Sequence, residues 1–205
     1  MGANRDNKNT VKIYEYFNTK EELAIIMETW DDNLLGFLLK KELLNYEEIY
    51  EILSQLNNSF RIMAQNKLIH GNLKLENIVI NYENAEKSKF IVKLKCDICQ
   101  LEDDFAKLNY QILCPEILKG ENNSEKCDLW SLGIIIYFFY FKEFPYKGKD
   151  KKEVLLEIDQ GNKIIKKTGD SDLDDLIIKL LEYDPKKRIS WEDYFNHPFF
   201  LKNKY

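Results

Sequence analysis

Apolar positions alternate along TVKIYEYFN (10–18), a stretch rich in β-branched and aromatic residues, and this predicts a strand. TKEE turns the chain, and LAIIMET (23–29) reads as a second, more buried strand, so the two form a hairpin. After it the period lengthens to that of helices. DDNLLGFLLKK (31–41) is a short amphipathic helix with Asp31 or Asp32 near its start. Over 45–67, Ile49, Ile52, Leu53, Leu56, Phe60 and Met63 form one helical stripe. Two short strands follow, near 78–81 and 90–95. The run from about 127 to 141 is apolar all round, which predicts a helix buried on every side. A charged segment holds a helix near 150–159, and 171–184 is amphipathic with Ser171 as its expected cap. Ser190 and Asp193 have capping-box spacing for a last short helix. No repeat, low-complexity tract or linker interrupts the pattern. The fold class is α+β, mainly α, in one compact unit.

Composition narrows what such a unit can do. The 205 residues carry a net charge of -5 and a pI near 5.3, which argues against a nucleic-acid or anionic-membrane surface. Arg5, Arg61 and Arg188 are the only arginines; all other basic residues are lysines. Arginine is the bidentate reader of phosphate, so a phosphopeptide-reading face is not expected. The start MGANRD has Gly2 but places Asp6 where a myristoylation signal needs Ser or Thr, and no signal-peptide core follows. The longest uncharged stretch, LWSLGIIIYFFYF (129–141), has 13 residues, against the roughly 20 that span a bilayer. These features predict a cytoplasmic protein, cytosolic or cytoskeleton-associated, with no membrane insertion and with reduced thiols. Cys96, Cys99, Cys114 and Cys127 could be read as a zinc set, but the second pair is far apart with no supporting His. Small buried hydrophobes are the preferred reading.

Five segments carry chemistry in a fixed order: HGNLKLEN (70–77), CDIC (96–99), CPE (114–116), DLWSLG (128–133), and DPKKR (184–188) with HPFF (197–200). They resemble, in turn, the catalytic loop, the Asp-Phe-Gly site, the Ala-Pro-Glu site, the start of the central helix and the closing signature of a eukaryotic protein kinase domain. The resemblance covers about residues 10 to 200. It implies a helical large lobe over 31–205 and, over 1–30, a residual small-lobe segment bearing the hairpin.

The departures from that pattern shape the functional expectation. The family's catalytic Asp, which accepts the substrate hydroxyl's proton, is replaced by Asn72, and the Arg before it by Gly71. No G-x-G-x-x-G roof and no small-lobe Lys–Glu pair can be placed in the sequence. Lys74, Asn77 and Asp97 match the family's loop Lys and two metal ligands, and are read as vestigial, with no cofactor and no metal expected. Asp97 is followed by Ile98 and Cys99 rather than Phe-Gly, and Ile98 is expected to stack with His70. From 97 to 116 Tyr110 is the one hydroxyl, so Ser/Thr activation-loop phosphorylation has no acceptor. The resemblance further implies a buried Glu116–Arg188 ion pair, an Asp128 that anchors the His70 loop, and packing by Trp130 and Gly133. The expectation is therefore a chain that is not an enzyme: a pseudokinase serving as a binding or structural subunit. A nucleotide- or Mg²⁺-sensing module and a residual phosphotransferase are the alternatives. Other protein subunits are expected to cover the hairpin, where Ile13, Phe17 and Ile25 would lack cover.

Overall fold

The computed structural model describes residues 7–19, 23–41, 43–96, 110–161 and 165–201. Strands β1 (Ile13–Asn18) and β2 (Leu23–Met27) pair antiparallel, with Tyr16 opposite Ile25. β1 is exposed along its whole length, whereas β2 alternates half-buried Leu23, Ile25 and Met27 with exposed Ala24 and Ile26.

A second sheet runs β3 (Asp32–Asn33), β4 (Ile78–Tyr82), β5 (Phe90–Leu94), all antiparallel, with Val79 between Asn33 and Lys93. Its first strand corrects the helix expected from residue 31. The Asp31 N–H donates to Ile80 O, and its carboxylate accepts the Tyr82 N–H at 2.8 Å, so Asp31 serves the sheet. Helix α1 (Leu34–Lys40) begins only afterwards, capped by Asn33, whose Oδ1 accepts the Gly36 N–H. Helix α2 (Tyr46–Gln65) starts on a reciprocal capping box between Asn45 and Glu48 and buries the predicted stripe.

The segment before the hairpin has a structural role that its polar sequence hides. Asn9 is completely buried. Its carbonyl accepts the Leu94 N–H at 2.8 Å, and the Val11 N–H donates to Leu94 O at 2.9 Å. The Asn9 side chain donates to Val92 O and accepts from Asn58 Nδ2, each at 2.8 Å. Residues 9–11 thus extend the sheet past β5 and tie it to α2. On the hairpin side, Glu28 accepts the Lys12 N–H and pairs with Lys93 at 2.6 Å. The hairpin is held at its root.

The remaining helices are α3 (Pro115–Lys119), α4 (Glu125–Phe141), α5 (Lys151–Asp159), α6 (Ser171–Leu180), α7 (Trp191–Phe195) and α8 (Pro198–Leu201). Every residue of α4 from 127 to 139 is buried, as its unbroken apolar run predicts. Helix α6 crosses it at Gly133, where a Cβ would stand 2.8 Å from Leu180 Cβ, so only glycine permits this approach. The cap of α6 is Asp170, not Ser171: one Asp170 oxygen takes the N–H groups of both Asp172 and Leu173, which a residue inside the first turn cannot reach. Ser190 caps α7 by accepting the Asp193 N–H. Trp191 of α7 packs on Phe60 of α2 at 5.1 Å between ring centres, closing the helical layer. Among the described residues, no helix is long and apolar enough to cross a membrane.

Candidate active site

Residues 68–77 join α2 to β4 and lie against the start of α4. Asp128, 2% exposed, accepts the His70 N–H on Oδ2 at 2.7 Å and the Gly71 N–H on Oδ1 at 2.9 Å. Burial raises the Asp128 carboxyl above its ordinary value, and the two N–H groups pull it partly back. The His70 ring is held on both sides. Nδ1 accepts the Asn72 N–H at 3.2 Å, so Nε2 carries the proton and donates to Lys95 O at 3.0 Å. Gly71 sits at φ 74, in the left-handed region that side chains avoid. Asn77, 1% exposed, closes the loop by donating from Nδ2 to Asn72 O at 2.9 Å.

A second cluster adjoins the first through α4. Arg188 makes a two-pronged bond to Glu116, with the pairs at 2.8 and 2.9 Å. Its other N–H groups donate to the carbonyls of Glu182, Lys126 and Tyr183. All five donors of the guanidinium are thereby used. The guanidinium lies 5.0 Å from the ring centre of Trp130, which stacks on Tyr146 at 5.8 Å. Lys126 caps the arrangement from outside, donating to Arg188 O and Ile189 O, and burial followed by the nearby Arg188 charge lowers its pKa.

The structure therefore brings His70, Gly71, Asn72, Asn77 and Asp128 into one site, and Glu116, Arg188 and Trp130 into its neighbour. Lys74 lies half-buried in the same loop. Asp97 and Ile98 fall outside the described residues, and so does the expected stacking of Ile98 on His70. Of the expected interaction surface, Ile13 and Phe17 are exposed and Ile25 is half-buried. Sequence reasoning missed Asn9; the only available signal was a polar residue just ahead of an alternating strand.

The cysteines need correction. Cys114 and Cys127 form a disulfide, with Cα atoms 5.3 Å apart, where reduced thiols were expected. Cys114, Cys127 and Glu116 also make up the one three-ligand cluster among the described residues. Zinc does not suit it: the sulfurs are joined, and both Glu116 oxygens are taken by Arg188. An Mg²⁺ ion of the kinase type suits Asn77 better. Its side chain offers an amide oxygen, the kind of ligand such an ion takes, while the amide nitrogen is bonded to Asn72 O.

The model of the protein kinase domain family matches residues 1–200. The chain belongs to the protein kinase family. It is 30% identical over 210 residues to the serine/threonine-protein kinase atg1 of Dictyostelium discoideum, covering 95% of this chain and 30% of that protein. It is 29% identical to calcium-dependent protein kinase 5 of Plasmodium falciparum, covering 97% of this chain and 36% of that one. With the Aurora kinase of Schizosaccharomyces pombe it shares 27% identity over 98% of this chain and 57% of that one. The chain thus spans about a third to somewhat over half the length of these relatives. These matches overturn the expectation of a non-enzyme. The relatives are named kinases and the family model is a kinase domain, so the comparisons point to a kinase enzyme. That expectation rested on Asn72 together with the unplaced Gly-rich roof and Lys–Glu pair, and similarity to named kinases along nearly the whole chain outweighs it.

Proposed function

We propose that the chain serves as a protein kinase domain that transfers the terminal phosphoryl group of ATP to protein hydroxyls, with residues 70–77 as its catalytic loop. The observation that carries this reading is the hold of Asp128 on two successive N–H groups of the loop. Phosphoryl transfer is mostly alignment and charge stabilisation, with a loose transition state. A loop fixed in this way keeps the part of the machinery that positions. On this reading Lys74 supplies positive charge beside the transferred group, and Asn77 would be a ligand of Mg²⁺, which when bound neutralises phosphate charge. Asn72 orients the acceptor hydroxyl by hydrogen bonding. Its amide cannot take the proton, which leaves on a phosphoryl oxygen instead. The rate falls accordingly, by about 10²–10⁴. The cytoplasm, with its ATP and protein substrates, is the compartment this reading implies.

The test is labelling of a Ser/Thr peptide library by the purified chain with ATP and Mg²⁺. Slow transfer is expected, weakened by Lys74→Ala and raised by about 10²–10⁴ in Asn72→Asp. Absence of transfer by both the natural chain and Asn72→Asp would overturn the reading.

A second role, as a binding subunit, is supported by the hairpin. Tyr14 and Tyr16 are 60% and 70% exposed, and Ile13, Phe17 and Ile26 are exposed beside them. We propose that another protein covers this face, by strand addition or by apolar contact. Hydrogen exchange over 10–30 should slow in the native assembly relative to the purified chain; equal protection in both would refute the covering partner.

A further inference from the structure

We infer that Cys114 and Cys127 form a reversible thiol–disulfide switch that fastens the segment 110–119 to α4 and, through it, stiffens the catalytic loop. Placement carries the inference. Cys114 is the N-cap of α3, immediately before Pro115 and Glu116, and Cys127 lies in the first turn of α4, immediately before Asp128. One bond across a separation of 13 residues therefore links a residue two positions before the Arg188 partner to the neighbour of the residue that holds His70 and Gly71.

The segment has other ties to the body, among them the Glu116–Arg188 pair, the bond from Ser131 Oγ to Ile112 O at 3.1 Å, the Lys119 ammonium over the Tyr183 ring, and the burial of Ile112 and Leu118 in the core. Cys114 and Cys127 themselves belong to the hydrophobic core, and the rest of that core is held by packing among its other apolar side chains. Opening the disulfide removes one covalent tie while the ion pair, the Ser131 bond and the apolar packing remain, so the fold stands, which is what a switch requires. Both sulfurs are buried, Cys127 the less so at 6% exposure against 1% for Cys114. Exchange therefore proceeds when the segment opens locally, with Cys127 attacking first.

The chemistry balances with a low-molecular-weight disulfide, such as oxidised glutathione, as oxidant. The Cys127 thiolate attacks one of its sulfurs, forming a mixed disulfide and releasing one glutathione thiolate. The Cys114 thiolate then displaces the second glutathione and forms the Cys114–Cys127 bond. The two electrons end on glutathione, and the two protons lost by the cysteines protonate the departing thiolates. A reduced dithiol reverses each step.

The experiment uses the full chain, equilibrated either with oxidised glutathione or with a dithiol reductant. Mass spectrometry after alkylation should show two fewer labelled cysteines in the oxidised sample, with Cys114 and Cys127 in one linked peptide pair. The oxidised form should melt about 5–10 °C higher, and amide exchange over 68–77 and 110–119 should quicken on reduction. Cys127→Ser should abolish both responses. Full labelling of Cys114 and Cys127 under the oxidant, a bond to another cysteine, or an unchanged melting temperature and exchange would each overturn the switch. These readouts need no phosphotransfer, and those on the natural chain stand even if Cys127→Ser folds poorly.

Discussion

Asp128, on a buried turn of α4, receives the backbone N–H groups of His70 and Gly71 on its two carboxylate oxygens, at 2.7 and 2.9 Å. One side chain thus sets the direction of two consecutive peptide planes. Asp128→Asn retains one acceptor and turns an NH₂ group toward the other N–H. A buried donor left in that state costs about 1–3 kcal/mol, or roughly 2–12 °C of melting temperature for a chain of this size. Amide exchange at 70 and 71 should quicken, and unchanged exchange there would show that Asp128 is not the anchor.

Glu116→Ala should be more damaging. Arg188 keeps its three carbonyl partners, but its charge remains buried without a counter-charge. Breaking such a pair costs about 3–5 kcal/mol, whereas an exposed pair is worth about 1 kcal/mol or less. Chemical denaturation of the variant distinguishes the two, and a loss below about 1 kcal/mol would contradict a buried pair.

Asn9→Ala should loosen the hairpin from below. The substitution strands the buried Val92 O, which the Asn9 side chain serves, at a cost of about 1–3 kcal/mol, while the exposed Asn58 amide turns to water. Exchange should accelerate at Val11 and Leu94, whose N–H groups pair across this junction, before it changes in α4. A uniform change along the whole chain would argue against a local anchor.

His197 gives the chain a pH-dependent term with a definite sign. Nδ1 accepts the Phe199 N–H and Nε2 faces Asp175 at 2.9 Å, so a second proton would turn two donors against each other. Burial lowers its pKa below the ordinary histidine value, with Asp175 opposing the shift. The unfolded chain therefore takes up the proton first. Stability is full above about pH 6.5 and falls as the pH drops through the folded-state value. Melting temperature should decline on acidification below that point, and His197→Gln should flatten the decline; an equal slope in both would assign it to other groups.

Much of this was legible before any coordinates. The uninterrupted apolar run of α4 and the stripe of α2 could be satisfied only by burial, and the motif order placed Glu116 beside Arg188 and Asp128 beside His70 as implied contacts. Other features were hidden because they depend on what lies across space. Asn9 looks like a solvated polar residue until Val92 and Asn58 close around it. Asp170 and Ser171 are both good caps in sequence, and only the chain's path into α6 selects between them. The Cys114–Cys127 pair could not be chosen from four cysteines without knowing that the chain at Cys114 runs beside the first turn of α4. The departures at Asn72 and in the small lobe were legible, but the reading of a non-enzyme drawn from them is the one that the kinase relatives overturn.

The hairpin leads to one more consequence. All six residues of β1 face solvent, and its root is fixed by residues outside it, Asn9, Val11 and Glu28. Side chains along β1 can therefore change over generations with little effect on whether the rest of the chain folds. The partner proposed for this arm is therefore free to differ from one lineage to another while the body beneath it stays the same.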